Sequence, residues 1–109
     1  MNWAARLSAL GCRMVYVRHE HCAVAAAMAY ARKTWSVGVA SVTCGPGVTQ
    51  LITALPAAVR ARLSLVVFAG EAPLKSGWYN QEIDQAPLIT ATGAAYQQQH
   101  MPEIGRAHV

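Results

Sequence analysis

MVYVRHEHCAVAAAMAYAR, residues 14–32, decides the fold. Met14–Val17 is an apolar run of the length and residue type of a short buried strand. Arg18, His19, Glu20 and His21 follow without a break, and an alanine-rich helix over about His21–Lys33 comes next. A carboxylate placed where a buried strand turns into a helix sits at the rim of an α/β sheet, the edge where such folds take their ligands.

Working outward, Trp3, Leu7 and Leu10 share one helical face, and Gly11 follows them as a C-cap. Downstream, Ser36–Thr43 (SVGVASVT) is β-branched and mostly apolar, a second strand. Cys44-Gly45-Pro46-Gly47 breaks it, after which Val48, Leu51, Ile52, Leu55 and Val59 recur at helical spacing. Pro56 inside that helix predicts a kink. Leu63–Ala69 (LSLVVFA) is a continuous apolar run, the pattern of a strand buried on both faces. Strands near 14–18, 37–43 and 63–69, alternating with helices over short links, predict an α/β domain with a parallel sheet flanked by helices. Leu74–Gln85 reads as a loop leading into a helix, and Ala86–Ala95 carries a weak helix or strand signal.

Composition limits the function. Hydrophobic residues make up 54% of the 109 and charged residues 13%, against about a quarter charged in an average globular domain. That shortage implies surface covered by a partner. The net charge of +4 is scattered along the chain with no basic stripe, which speaks against nucleic-acid binding. Cys12, Cys22 and Cys44 form no Cys-x-x-Cys pair, so neither a disulfide framework nor a zinc knuckle is expected and a cytoplasmic setting fits. No apolar run reaches the ~18 residues of a membrane span. The opening residues lack the layout of a signal peptide and read as an amphipathic helix entered partway.

Three polar features fall at the carboxyl ends of the three expected strands: Arg18–His21, Thr43–Gly47 and Gly70-Glu71. In a parallel sheet they share one edge. The TCGPG turn offers backbone N–H groups at a helix start. It lacks both the G-x-G-x-x-G spacing and the Gly-Lys-Ser/Thr of the common phosphate loops.

Five blocks together, RHEH (18–21), YAR (30–32), VTCGPGVT (42–49), GEAP (70–73) and NQE (80–82), resemble the pyrimidine-binding (Pyr) domain of thiamine-diphosphate-dependent enzymes of the acetolactate synthase type. Their order and spacing agree from about Arg13 to Ala94. The resemblance implies that Glu20 hydrogen-bonds N1′ of the cofactor's aminopyrimidine and activates it by proton exchange, while the cofactor performs the carbon–carbon chemistry. It implies that Thr43, Pro46 and Gln50 line the pyrimidine ring, although the family more often has Asn at Gln50. Gln81 matches a glutamine reaching the reacting centre. His19 and His21 divide between substrate contact and a plain hydrogen-bonded role.

The resemblance also implies a homodimer or tetramer and a 2-oxo acid or aldehyde substrate. The diphosphate and its Mg2+ would be gripped by a second domain that these 109 residues do not include. On this basis residues 1–102 are a partial Pyr domain without its first strand. Residues 103–109 (EIGRAHV) look like the translation of a sequencing adapter, a non-native tail. Cys44 stands where the family usually has Ser. Two other classes compete: a cysteine hydrolase or amidotransferase using Cys44 with His19 or His21 as base, and a non-catalytic dimerisation module.

Overall fold

A computed structural model describes residues 3–70 and 84–98. Glu71 and Gln81, the loop from Leu74 and the 103–109 tail lie outside the described residues. The described elements are α1 (Trp3–Ala9), α2 (Glu20–Thr34), β1 (Gly38–Val42), α3 (Pro46–Thr49), α4 (Ala54–Arg60), β2 (Leu65–Ala69) and α5 (Gln85–Ala91). β1 and β2 pair in parallel, from Gly38 opposite Leu65 to Val42 opposite Ala69. The α/β class with a parallel sheet stands.

The start of the chain closes as its glycine predicts. Gly11 has φ +94°, the Gly11 N–H reaches the Ser8 carbonyl and the Cys12 N–H reaches Leu7. That pair of bonds satisfies the last carbonyls of α1 in the Schellman manner.

The expected strand at 14–17 is not formed. Cys12–Val17 carries no strand pairing, and Tyr16 is 79% exposed. Four apolar residues report strand-like side chains, but a strand is held by ladder bonds to a neighbour, and none of the described strands lies beside this one. The sheet has two described strands where three were expected. β2 also departs from its expected burial on both faces. Leu65 and Val67 pack against the core, whereas Val66 and Phe68 point away and are exposed.

α2 begins one residue earlier than its apolar pattern suggested. His19 is its N-cap, with extended backbone, and its Nδ1 accepts the His21 N–H at 3.0 Å. This satisfies one of the donors that every helix start leaves open. Val24, Ala27 and Ala31 form its buried stripe. The small side chains let α2 lie close on β1, to the point that a Cβ at Gly38 would collide with the Ala27 carbonyl. At the other end Trp35 caps the helix in the left-handed region (φ +59°), its N–H on the Ala31 carbonyl.

The helix expected after the TCGPG turn is two pieces. α3 is one turn, Gln50–Thr53 runs as turns, and α4 resumes at Ala54. Pro56 explains the interruption: it has no N–H to donate and its ring clashes with the carbonyl four residues back, at Ile52. The chain breaks there and leaves Pro56 in the first turn of α4, where no intrahelical N–H is required. The Leu55 N–H still reaches the Leu51 carbonyl at 2.9 Å, so the buried line Val48, Leu51, Leu55 continues across the break. These side chains, with Val24, Ala27, Ala40, Val42, Ala54 and Ile89, make the core.

Candidate functional site

β1 and β2 end side by side. The Gly70 N–H donates to the Val42 carbonyl at 3.1 Å, continuing the ladder one step past the strands. A Cβ on Gly70 would lie 3.2 Å from the Cys44 nitrogen. The Thr43–Gly47 turn and Gly70 are therefore brought together at one sheet edge, as two of the three polar features were expected to be.

The third feature reaches the same edge by a different route. A three-residue link, Trp35–Val37, joins α2 to β1, so the helix runs back along the strand it packs on. From Ala27, which sits over Gly38, to Glu20 is about 10 Å of helix at 1.5 Å per residue. From Gly38 to Val42 is about 13 Å of strand. Glu20 thus lies toward the carboxyl end of β1, about 3 Å short of Val42 along the strand, without a described strand ahead of it. It is half-buried at the first position of α2. Among the described residues its carboxylate has no hydrogen-bond or ion-pair partner.

The turn is shaped by several independent constraints. Gly45 has φ +63° and ψ −107°, a conformation that side-chain-bearing residues avoid. Its carbonyl accepts the Thr49 N–H at 3.0 Å, and Thr49 Oγ1 donates to the Pro46 carbonyl at 2.9 Å. Pro46 is the first residue of α3, where its fixed φ suits the helix and its missing N–H costs nothing. A Cβ on Gly47 would stand 2.8 Å from Thr43 Oγ1, so glycine there leaves the Thr43 hydroxyl its room. Thr43, Pro46 and Gln50 are exposed, while Cys44, Gly45 and Gly47 are buried.

A residue the sequence did not single out completes the turn. Gln85, at the start of α5, is buried, and its Oε1 accepts the Gly45 N–H at 3.0 Å. That bond removes Gly45 from the N–H groups that the turn was expected to offer a ligand. The usable signal was Pro87. A proline in the first helical turn places the cap near Asp84 and Gln85 at the first helical position.

Cys44 is 8% exposed. Reactive thiols sit in partly exposed surroundings, whereas this one is buried. Among the described residues no group of three His, Cys, Asp or Glu side chains is placed to hold a metal ion. No described helix is long and apolar enough to cross a membrane.

Comparison with known proteins bears on this edge. The family model described as the N-terminal TPP binding domain of thiamine pyrophosphate enzymes matches residues 1–88. The chain is 48% identical over 82 residues to 2-hydroxyacyl-CoA lyase 2 of Caenorhabditis elegans, covering 73% of this chain and 13% of that protein. It is 43% identical over 82 residues to the human 2-hydroxyacyl-CoA lyase 2, with the same shares. To the acetolactate synthase large subunit of Mycobacterium tuberculosis it is 41% identical over 81 residues, 72% of this chain and 15% of the relative. The chain spans about an eighth to a seventh of the length of these relatives.

Proposed function

Because the chain belongs to the thiamine pyrophosphate enzymes, within their N-terminal TPP binding domain, we propose that its sheet edge holds the aminopyrimidine half of thiamine diphosphate, with Glu20 as the residue that activates it. One observation carries this reading: a half-buried carboxylate without a partner among the described residues, toward the same sheet edge as a preorganised turn that leaves Thr43 and Pro46 exposed. These groups suit a flat heteroaromatic ring with basic nitrogens. The carboxylate can share a proton with a ring nitrogen, and the Thr43 hydroxyl and the Pro46 ring offer one polar and one apolar contact. Gln50, exposed just after α3, stands as a further ring contact, and Gln81 as a group approaching the reacting centre.

Bound thiamine diphosphate supplies the carbanion chemistry that makes or breaks a carbon–carbon bond beside a carbonyl. The part of this chain is narrower. Glu20 holds the proton at N1′ of the aminopyrimidine and exchanges it, and the Thr43–Gly47 turn orients the ring. The diphosphate and a Mg2+ ion are held by other parts of the whole protein. The enzyme works as a homodimer or tetramer on a 2-oxo acid or aldehyde. The names of the relatives add a second substrate class, a 2-hydroxyacyl-CoA thioester, favoured by the 48% identity to a lyase of that name.

The test uses the full-length protein that carries this chain. Glu20→Gln keeps the shape of the side chain and removes the proton exchange. Cofactor affinity should change little while C2–H exchange of the bound cofactor, followed by NMR, slows by about 100-fold or more. Wild-type exchange in the Gln variant would remove Glu20 from this role. Turnover of pyruvate against a 2-hydroxyacyl-CoA then separates the two substrate classes.

A further inference from the structure

Gln85 is 5% exposed, a polar side chain placed among core residues. Its Oε1 accepts a backbone N–H from a residue forty positions earlier in the chain. Because that N–H is a donor, the carboxamide must present its oxygen there, which fixes the orientation of the amide. The N–H belongs to Gly45, the turn residue with the most restricted backbone, φ +63° and ψ −107°. Such a conformation persists only where surrounding contacts hold it. The α3 turn that follows has four residues and is too short to hold its own start by cooperativity.

We infer that Gln85 is a positioning residue for the cofactor ring: through Gly45 it sets the Thr43–Gly47 turn from the far side, keeping Thr43 and Pro46 at the spacing the aminopyrimidine needs. It does not touch the ring. The inference rests on the roles proposed for Thr43 and Pro46, and adds that α5 acts in that site through one buried bond. A Gln residue serves because it supplies an oxygen acceptor at the length required. Asn is one methylene shorter and falls short of Gly45.

Two arms test this. In the full-length protein that carries this chain, amide hydrogen exchange at Gly45 should quicken about five- to tenfold in Gln85→Met, which keeps the length and loses the oxygen acceptor. Gln85→Glu keeps an acceptor and should return the rate to within about twofold of wild type. Unchanged exchange in the Met variant overturns the inference whatever the cofactor does. In the full-length protein, the affinity of thiamine diphosphate is compared with that of a thiazole diphosphate lacking the aminopyrimidine. Positioning predicts that Gln85→Met weakens the first about five- to tenfold and leaves the second within about twofold, with rescue by Glu. Equal losses on both ligands would mean a purely structural role and overturn the inference. A wild-type protein that binds both ligands alike would instead overturn the pyrimidine site itself, and the positioning role with it.

Discussion

Gly38 and Ala27 set how closely α2 approaches the sheet: a Cβ on the first would collide with the backbone carbonyl of the second. Everything at the candidate edge depends on this contact, because the level of Glu20 relative to Val42 is counted from it. A side chain at 38 would meet a backbone oxygen that cannot rotate away. Gly38→Ala should therefore cost about 3 kcal/mol, the upper end of ordinary overpacking, measured as a lowered denaturation midpoint. A neutral substitution would mean that α2 can lift off β1 freely, and would undo the placement of Glu20.

Gly47 and Thr43 offer a paired test. A Cβ at 47 meets Thr43 Oγ1 at 2.8 Å, while Val42 Cβ and Thr43 Cβ lie at ordinary contact distances of 3.5 and 3.6 Å. Gly47→Ala should destabilise by about 1–2 kcal/mol. Thr43→Ala removes the clashing oxygen, so the double variant should recover most of that loss, a coupling of about 1 kcal/mol. Simple additivity of the two changes would show that the strain lies elsewhere in the turn.

How far the sequence could be read follows from which interactions are local. α2, β1 and β2 were legible because their residue patterns and punctuation, such as the Cys44–Gly47 break after β1 and the run 63–69, act within a few residues. The break at Gln50–Thr53 is just as local, but the run of apolar residues masked it, and Pro56 reads as a kink until its clash is placed four residues upstream. The segment 14–17 failed for the opposite reason: pairing depends on a neighbour that no stretch of four residues encodes. At the candidate edge, Glu20 and the Thr43–Gly47 turn were legible as polar features at strand ends, while ring contacts for Thr43 and Pro46 came only from the family resemblance. Gln85 was not legible, since its partner lies forty positions away and a lone glutamine looks like any solvated one.

His19 gives the cleanest local prediction. Its Nδ1 caps α2 through the His21 N–H, and Glu20 is the next residue along. His19→Ala should cost about 1 kcal/mol, the ordinary value of a side-chain cap, and His19→Asn should restore most of it. Chemical denaturation of the three proteins decides. Equal stability of all three would remove the capping role and leave His19 free for substrate contact.

The exposed face of the sheet predicts association. Val39, Val66 and Phe68 share that face, and Tyr16 and Trp35 are also exposed, on a chain with 13% charged residues. Contiguous apolar surface of this kind on a small domain favours self-association. The chain by itself should run in light scattering as an oligomer or aggregate, and Val66→Lys with Phe68→Lys should shift it toward the monomer. A monodisperse wild-type monomer with a cooperative melt would contradict the need for a covering partner.

The last prediction concerns cofactor affinity of the 109 residues alone. The proposed pyrimidine contacts comprise one hydrogen bond to the charged Glu20 and the surfaces of Thr43 and Pro46. A charged hydrogen bond is worth about 1.5–3 kcal/mol, below the ~4 kcal/mol that even millimolar binding requires. The described residues add no metal-holding cluster for a diphosphate, and the Gly45 N–H, one of the donors expected to meet an anion, is taken by Gln85. Calorimetry with thiamine diphosphate and Mg2+ should therefore detect no binding at micromolar concentrations, whereas the full-length protein should bind. Micromolar affinity in the chain alone would mean that the diphosphate is gripped within these residues, and would move the division of labour between the two halves of the site.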